Sequence, residues 1–174
     1  EWEALHAGAE QVPALARARD GAEDQPTTTE ARFGGDDAPV TANRHAFATT
    51  VRSATFRRVE LLARENYAGL ATLSAEAGQP EWDATRWQDE IAGYWQEYPD
   101  IGIGPDARNR AMCQIRTDGR TWQVEQILDD ANGDRDWRLY AVVDLDDSDD
   151  HGAPVITMRA ISPAQDAPLA HEDG

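Results

Sequence analysis

The chain has 174 residues, 40% of them hydrophobic, which suits one domain with a modest core and polar tails. Acidic residues number 33 against 16 basic ones, all of them Arg, for a net charge of -17. Such a surface repels phosphate backbones on average and excludes a general DNA- or RNA-coating role, but it leaves room for a local Arg patch.

The N-terminal arm, 1–19, carries a weak helical stripe of Trp2, Leu5, Val12 and Leu15, interrupted by Gly8 and Pro13. From Asp20 to Pro39 the residues are mostly Gly, Asp, Glu, Pro and Thr, too few of them apolar to offset their ordering entropy. Residues 1–40 therefore read as an arm and acidic linker, 41–162 as the folded domain and 163–174 as an acidic tail. The opening Glu1-Trp2-Glu3 has no initiator Met and no signal pattern, and no apolar run approaches the roughly 20 residues of a membrane span. A cytoplasmic piece of a longer chain is expected.

One long helix is expected from Thr41 to Ser74, on the stripe Phe47, Val51, Phe56, Val59, Ala63, Leu70 and Leu73, with Gly69 as the point of bending or division. A second helix starts after Asp83, a good N-cap, with Trp82 and Trp87 placed as a hydrophobic staple. Trp87, Ile91, Tyr94, Trp95 and Tyr98 form its expected buried face, and Pro99 ends it. The period then becomes two. Strands are expected at Ala111–Thr117, Arg120–Leu128, Trp137–Leu145 and Val155–Ile161, with Asp118-Gly119 as a hairpin turn and Asp146–Gly152 as an acidic turn. Helices followed by a four-stranded meander give an α+β fold, with N-terminal helices on a curved antiparallel sheet. NTF2-like and cystatin-like cones fit that order.

Motifs for chemistry are sparse. Without Lys there is no Walker-type phosphate loop, and Ile101-Gly102-Ile103-Gly104 follows a helix and fails as a dinucleotide fingerprint. Its glycines read as a tight turn. In Asp129–Asp136, Gly133 falls out of the calcium-loop register and no closing Glu follows, so a solvated connection is favoured over a metal site. His6, His45, His151 and His171 lack metal-ligand spacing, and Cys113, the only cysteine, reads as a buried thiol. No catalytic residue, cofactor or metal is expected.

Two features remain. Arg52, Arg57, Arg58 and Arg64 cluster on the first helix, beside Phe56; they either contact an anion or pair internally with Glu60, Glu65 and the acidic loops. Trp122 and Trp137 lie on strands and either line a pocket or pack in the core. Arg57, Arg58, Asp106, Arg108, Trp122 and Trp137 are the candidate binding residues.

Several blocks resemble, in one order, a C-terminal domain of unknown function of actinobacterial DEAD/DEAH-box (superfamily 2) helicases. They are Val51–Leu61, Trp82–Trp87, Ile101–Arg108, Trp122–Asp130, Gly133–Trp137 and Val143–Leu145. The pattern departs at Ile103 and around Asn109-Arg110-Ala111. The resemblance implies a helicase motor as partner, outside this chain, and an intracellular setting; it implies no catalytic residue here. The expected function is a non-catalytic accessory domain making protein or nucleic-acid contacts for that motor. The alternative is a small-molecule-binding domain with a Trp/Arg-lined pocket. A third reading takes the acidity as mere solvation in a salty habitat.

Overall fold

The computed structural model describes residues 38–168. The expectations for the N-terminal arm and for the end of the tail lie outside the described residues. Among the described residues, four α-helices and a four-stranded antiparallel sheet make an α+β fold. None of the described helices is long and apolar enough to cross a membrane.

Helix α1 spans Arg44–Ala63, and the Asn43 side chain caps it by accepting from the Ala46 N–H at 3.0 Å. Phe47, Val51, Val59 and Leu62 are buried along it. The expected single helix does not continue to Ser74. After Arg64, Glu65 turns left-handed at φ 52°. The Asn66 N–H then donates to Leu61 O at 2.8 Å and the Glu65 N–H to Leu62 O at 2.9 Å. That double closure is a Schellman cap with Glu where Gly is usual. Asn66 restarts the chain as N-cap of α2, Tyr67–Glu76, its carboxamide oxygen accepting from the Gly69 N–H at 2.9 Å. Gly69 therefore stands in the first turn of α2 and is not the point of division.

Helix α3, Ala84–Glu97, follows the sequence closely. Asp83 caps it, accepting from the Arg86 N–H at 2.8 Å, and the Trp82 and Trp87 rings meet edge to face at 5.1 Å. Trp87, Ile91 and Tyr94 are buried. Trp95 is only partly so, and its indole N–H donates to the Tyr67 hydroxyl at 3.1 Å.

The strands are β1 (Cys113–Asp118), β2 (Thr121–Ile127), β3 (Trp137–Asp144) and β4 (Val155–Pro163), paired in chain order. Asp118 pairs with Thr121, so the hairpin loop is Gly119-Arg120, one residue later than expected. Gly119 alone there has positive φ, 59°, as a type II′ turn requires at its first position. Cys113 and Ile115, Trp122, Val124 and Gln126, Leu139, Ala141 and Val143, and Ile156, Met158 and Ile161 share one face by register. A bulge between Tyr140 and Ala141 keeps β4 in phase with that face. Strand β4 is an edge, and side chains from the helical layer occupy its free backbone. Gln79 accepts from the Met158 N–H and donates to Met158 O, and Glu90 accepts from the Ile161 N–H.

The expected acidic turn after β3 is helix α4, Leu145–His151. Asp144 caps it, Asp146 and Asp147 complement the dipole of its first turn, and Gly152 closes it at φ 79°. Only Leu145 among its seven residues is apolar, which is why no periodicity announced it. Strand β4 also runs on to Pro163, and a short 3-10 turn covers Ala164–Asp166, where a loose tail was expected.

Asp149 on α4 ties this end of the sheet to the start of the domain. It accepts from the Thr41 N–H at 2.9 Å, the Thr41 hydroxyl at 2.8 Å and the Arg120 guanidinium at 2.8 Å. Burial alone would raise the Asp149 carboxyl, but the bonds from Thr41 and Arg120 outweigh it and hold it below its ordinary 3.8. A depressed carboxyl contributes stability that is fully present above 3.8 and is lost as pH falls through the lower folded value. Urea midpoints of the native chain and Asp149→Asn should differ by a constant amount near neutrality and converge in that acid range. A gap that survives full acidification would show that charge on Asp149 is not what holds Thr41.

Candidate functional site

Residues 52, 56 and 60 fall four apart on α1 and so share a face. That face meets the turn before β1 across a cavity of about 320 Å³. Arg52, Phe56, Arg57 and Glu60 line it from α1, Arg108 from the turn, and Cys113 and Gln126 from the sheet.

Each wall has a local cause. The Arg52 Nε–H donates to Cys113 O at 3.4 Å, a long bond that ties α1 to the start of β1. Arg108 lies over the Phe56 ring, its guanidinium carbon 4.7 Å from the centroid, with Glu60 at 3.7 Å. The turn carrying Arg108 is held by its N–H, which donates to Gly104 O and Pro105 O, and by the Asn109 carboxamide, which accepts from the Ala111 N–H at 2.9 Å. Upstream, the Gly102 N–H donates to Asp129 O at 2.7 Å, and a Cβ on Gly102 would stand 2.6 Å from the Asp129 carboxylate. A larger residue there would have to displace the Asp129 side chain.

Gln126, 1% exposed, forms part of the floor and donates through Nε2 to Met112 O at 3.2 Å and Ile127 O at 3.0 Å. Both amide hydrogens are thus committed to the main chain, and Oε1 remains as an acceptor. Burial pushes the Cys113 thiol up to about 11, against the opposing pull of Arg52. It stays protonated at neutral pH and presents a neutral wall. Three guanidiniums face this cavity against the one carboxylate of Glu60, in a chain of net charge -17.

Of the candidate binding residues, the structure brings Arg57 and Arg108 together in this cleft. Arg58 points elsewhere. It is buried, one of its amino groups donates to Ala54 O at 2.9 Å, and its Nε–H has no partner. Burial lowers it to about 10, opposed by Glu76, so it remains charged at neutral pH. Asp106 is exposed in the turn, where its main-chain oxygen accepts from the Asn109 N–H at 3.2 Å.

Trp122 and Trp137 do not share a pocket wall. They stand six positions apart along β3, Trp122 pairing with Val143, which is about 20 Å in extended chain. Trp122 is buried with its ring edge to face on Phe47 at 5.2 Å. Trp137 packs against Tyr94 and donates to Glu97 at 3.2 Å. Both are core residues. The expected pairing of the Arg cluster with Glu60 and Glu65 is also absent. Among the described ion pairs, Glu60 takes Arg108, and none involves Arg52, Arg57, Arg58 or Arg64.

Cys113 and Gln126 were missed as site walls. Gln126 had a signal, being a polar residue in phase with Trp122 and Val124 on the inward face of β2. The oxygen-rich loop after β2 is organised by Asp130, which accepts from the Asn132, Asp134 and Arg135 N–H groups. Among the described residues no group of three or more His, Cys, Asp or Glu is placed to hold a metal ion.

No curated protein and no solved structure matches the chain. A family model does match, over residues 1–161, and the chain belongs to that family, described as a domain of unknown function (DUF3516).

Proposed function

We propose that this domain is a non-catalytic accessory module of a superfamily 2 helicase, and that it holds a nucleic-acid strand for the motor through the Arg52–Arg57–Arg108 cleft. The observation behind this reading is the concentration of three guanidiniums in one cavity of a strongly acidic chain. Guanidinium forks match phosphate oxygens, and the surrounding acidity keeps phosphate from the rest of the surface. No His lines the cleft and its one thiol stays protonated, which supports the non-catalytic reading. The alternative of a small-molecule pocket lined by Trp and Arg loses its Trp half, because Trp122 and Trp137 are core residues.

Anisotropy titrations with single-stranded and duplex DNA and RNA, at low and at physiological salt, test the proposal. Single strands should bind in a salt-sensitive way. Arg52→Ala/Arg57→Ala should weaken that binding at least about tenfold, since each lost charge-assisted bond is worth roughly 1.5–3 kcal/mol. The slope of log affinity against log salt should fall by about 1.4, or roughly 0.7 for each phosphate contact removed. Absence of binding at low salt, where phosphate attraction is strongest, would overturn the nucleic-acid role and favour a protein partner.

A further inference from the structure

The cleft has the size of a small-ligand pocket, not of a groove several nucleotides long. Its cavity of about 320 Å³ falls at the lower end of the roughly 300–1,000 Å³ of small-molecule pockets. Single-strand grooves that track a backbone span about 4–16 nucleotides. This one has room for a single nucleotide.

Its walls also differ in kind. Arg52 and Arg57 supply positive charge without a carboxylate partner among the described ion pairs, whereas Glu60 sits against Arg108. Two guanidiniums without a carboxylate partner among the described ion pairs match a phosphate monoester, which carries about -1.5 to -2, better than they match the single charge of an internal phosphodiester. Arg108, its guanidinium carbon 4.7 Å from the Phe56 ring centroid and its side chain 58% exposed, offers a planar group of the kind on which bases stack. The Gln126 amide below leaves an oxygen to accept from a base N–H. A bare phosphate would use neither the stacking face nor the amide.

We infer that the cleft takes one terminal nucleotide bearing a phosphate monoester, with its phosphate at Arg52 and Arg57 and its base on the Arg108–Phe56 pair above Gln126. This rests on the nucleic-acid reading and narrows it from strand binding to strand-end binding. The acidic surface supports the narrowing, because it penalises the internal phosphates of any strand lying lengthwise. Free mononucleotides share this chemistry, and the test separates the two sources.

The experiment measures binding of the 174-residue chain to short single strands with a 5′-phosphate, a 3′-phosphate or neither, in competition with AMP, adenosine and inorganic phosphate. One phosphorylated end should bind at least tenfold tighter than the unphosphorylated strand. AMP should displace it far better than adenosine or inorganic phosphate, and Arg57→Ala, an exposed position, should remove the preference while leaving the thermal melt unchanged. Equal binding of all three strands would overturn the end-specific site and leave the broader nucleic-acid reading standing. Absence of binding to any strand would remove both. Inorganic phosphate competing as well as AMP would overturn the nucleotide assignment. AMP binding tighter than every strand would keep the site and assign it to free nucleotides.

Discussion

Trp87→Ala should destabilise the domain by about 3–5 kcal/mol, the range for truncating a fully buried Trp. The indole is 0% exposed, meets Trp82 edge to face at 5.1 Å, and donates its N–H to the buried Ser74 hydroxyl at 2.9 Å. Its removal leaves a large cavity between α2 and α3 and strips Ser74 of its donor. Domains have only about 5–15 kcal/mol in total, so the variant should be near its folding limit. Thermal melting followed by circular dichroism should show a fall of about 10–20 °C. Trp87→Phe fills most of the space but still orphans Ser74, and should fall in between. A loss below about 1 kcal/mol, the range of exposed substitutions, would show that the helical layer does not close around this ring.

Asp130→Ala should cost about 3 kcal/mol, from hydrogen bonds to a charged group worth roughly 1.5–3 kcal/mol each and not additive. One carboxylate oxygen accepts from the Asn132 and Asp134 N–H groups at 3.0 and 2.9 Å, and the other from the Arg135 N–H at 2.7 Å. Gly133 and Arg135 are held at φ 76° and 57°, a conformation the loop keeps only while those three donors converge. The loop in turn receives the Tyr98 hydroxyl on Asp134 at 2.8 Å and the Gly102 N–H on Asp129. Its collapse should therefore also loosen the turn that carries Arg108. Asp130→Asn is the sharper variant. Its amide nitrogen would face the Arg135 N–H, donor against donor, so it should recover only part of the loss. Full stability in Asp130→Asn would mean that two accepted bonds suffice and that charge plays no part. Chemical denaturation of the three proteins decides this.

Much of the fold was legible in the sequence because its signals are local. The Asp83 cap, the Trp82–Trp87 staple and the period-two runs of β2 and β3 each follow from neighbouring residues, and helices-then-meander fixes the layer order. Where the reading failed, a local signal was missing or atypical. Glu65 closes α1 in a left-handed conformation that Gly normally marks, and α4 has one apolar residue in seven. The hairpin slipped by one residue because Gly119 occupies the first loop position instead of the second.

The candidate site was legible only in part. An Arg cluster beside Phe56 on α1 could be named from the sequence, but not which members share a cavity. Arg57 and Arg58 are adjacent in the chain and project about 100° apart around the helix, so one reaches the cleft and the other the interior. Arg108, Cys113 and Gln126 lie 48 to 66 residues beyond Glu60 in the chain, and they reach its helix face only once β1 and β2 pair and the turn before them docks.

 The sequence by itself determined the class of the molecule: an acidic α+β domain with a Trp-rich core, one Arg-bearing helix and a meander. Composition and periodicity are properties of the chain alone. Only the tertiary structure decided that Trp122 and Trp137 are packing residues at opposite ends of the sheet, that Asp130 caps its own loop, and that Arg52, Arg57 and Arg108 surround one cavity. Those outcomes depend on which distant segments come together, and no spacing along the chain carries that information.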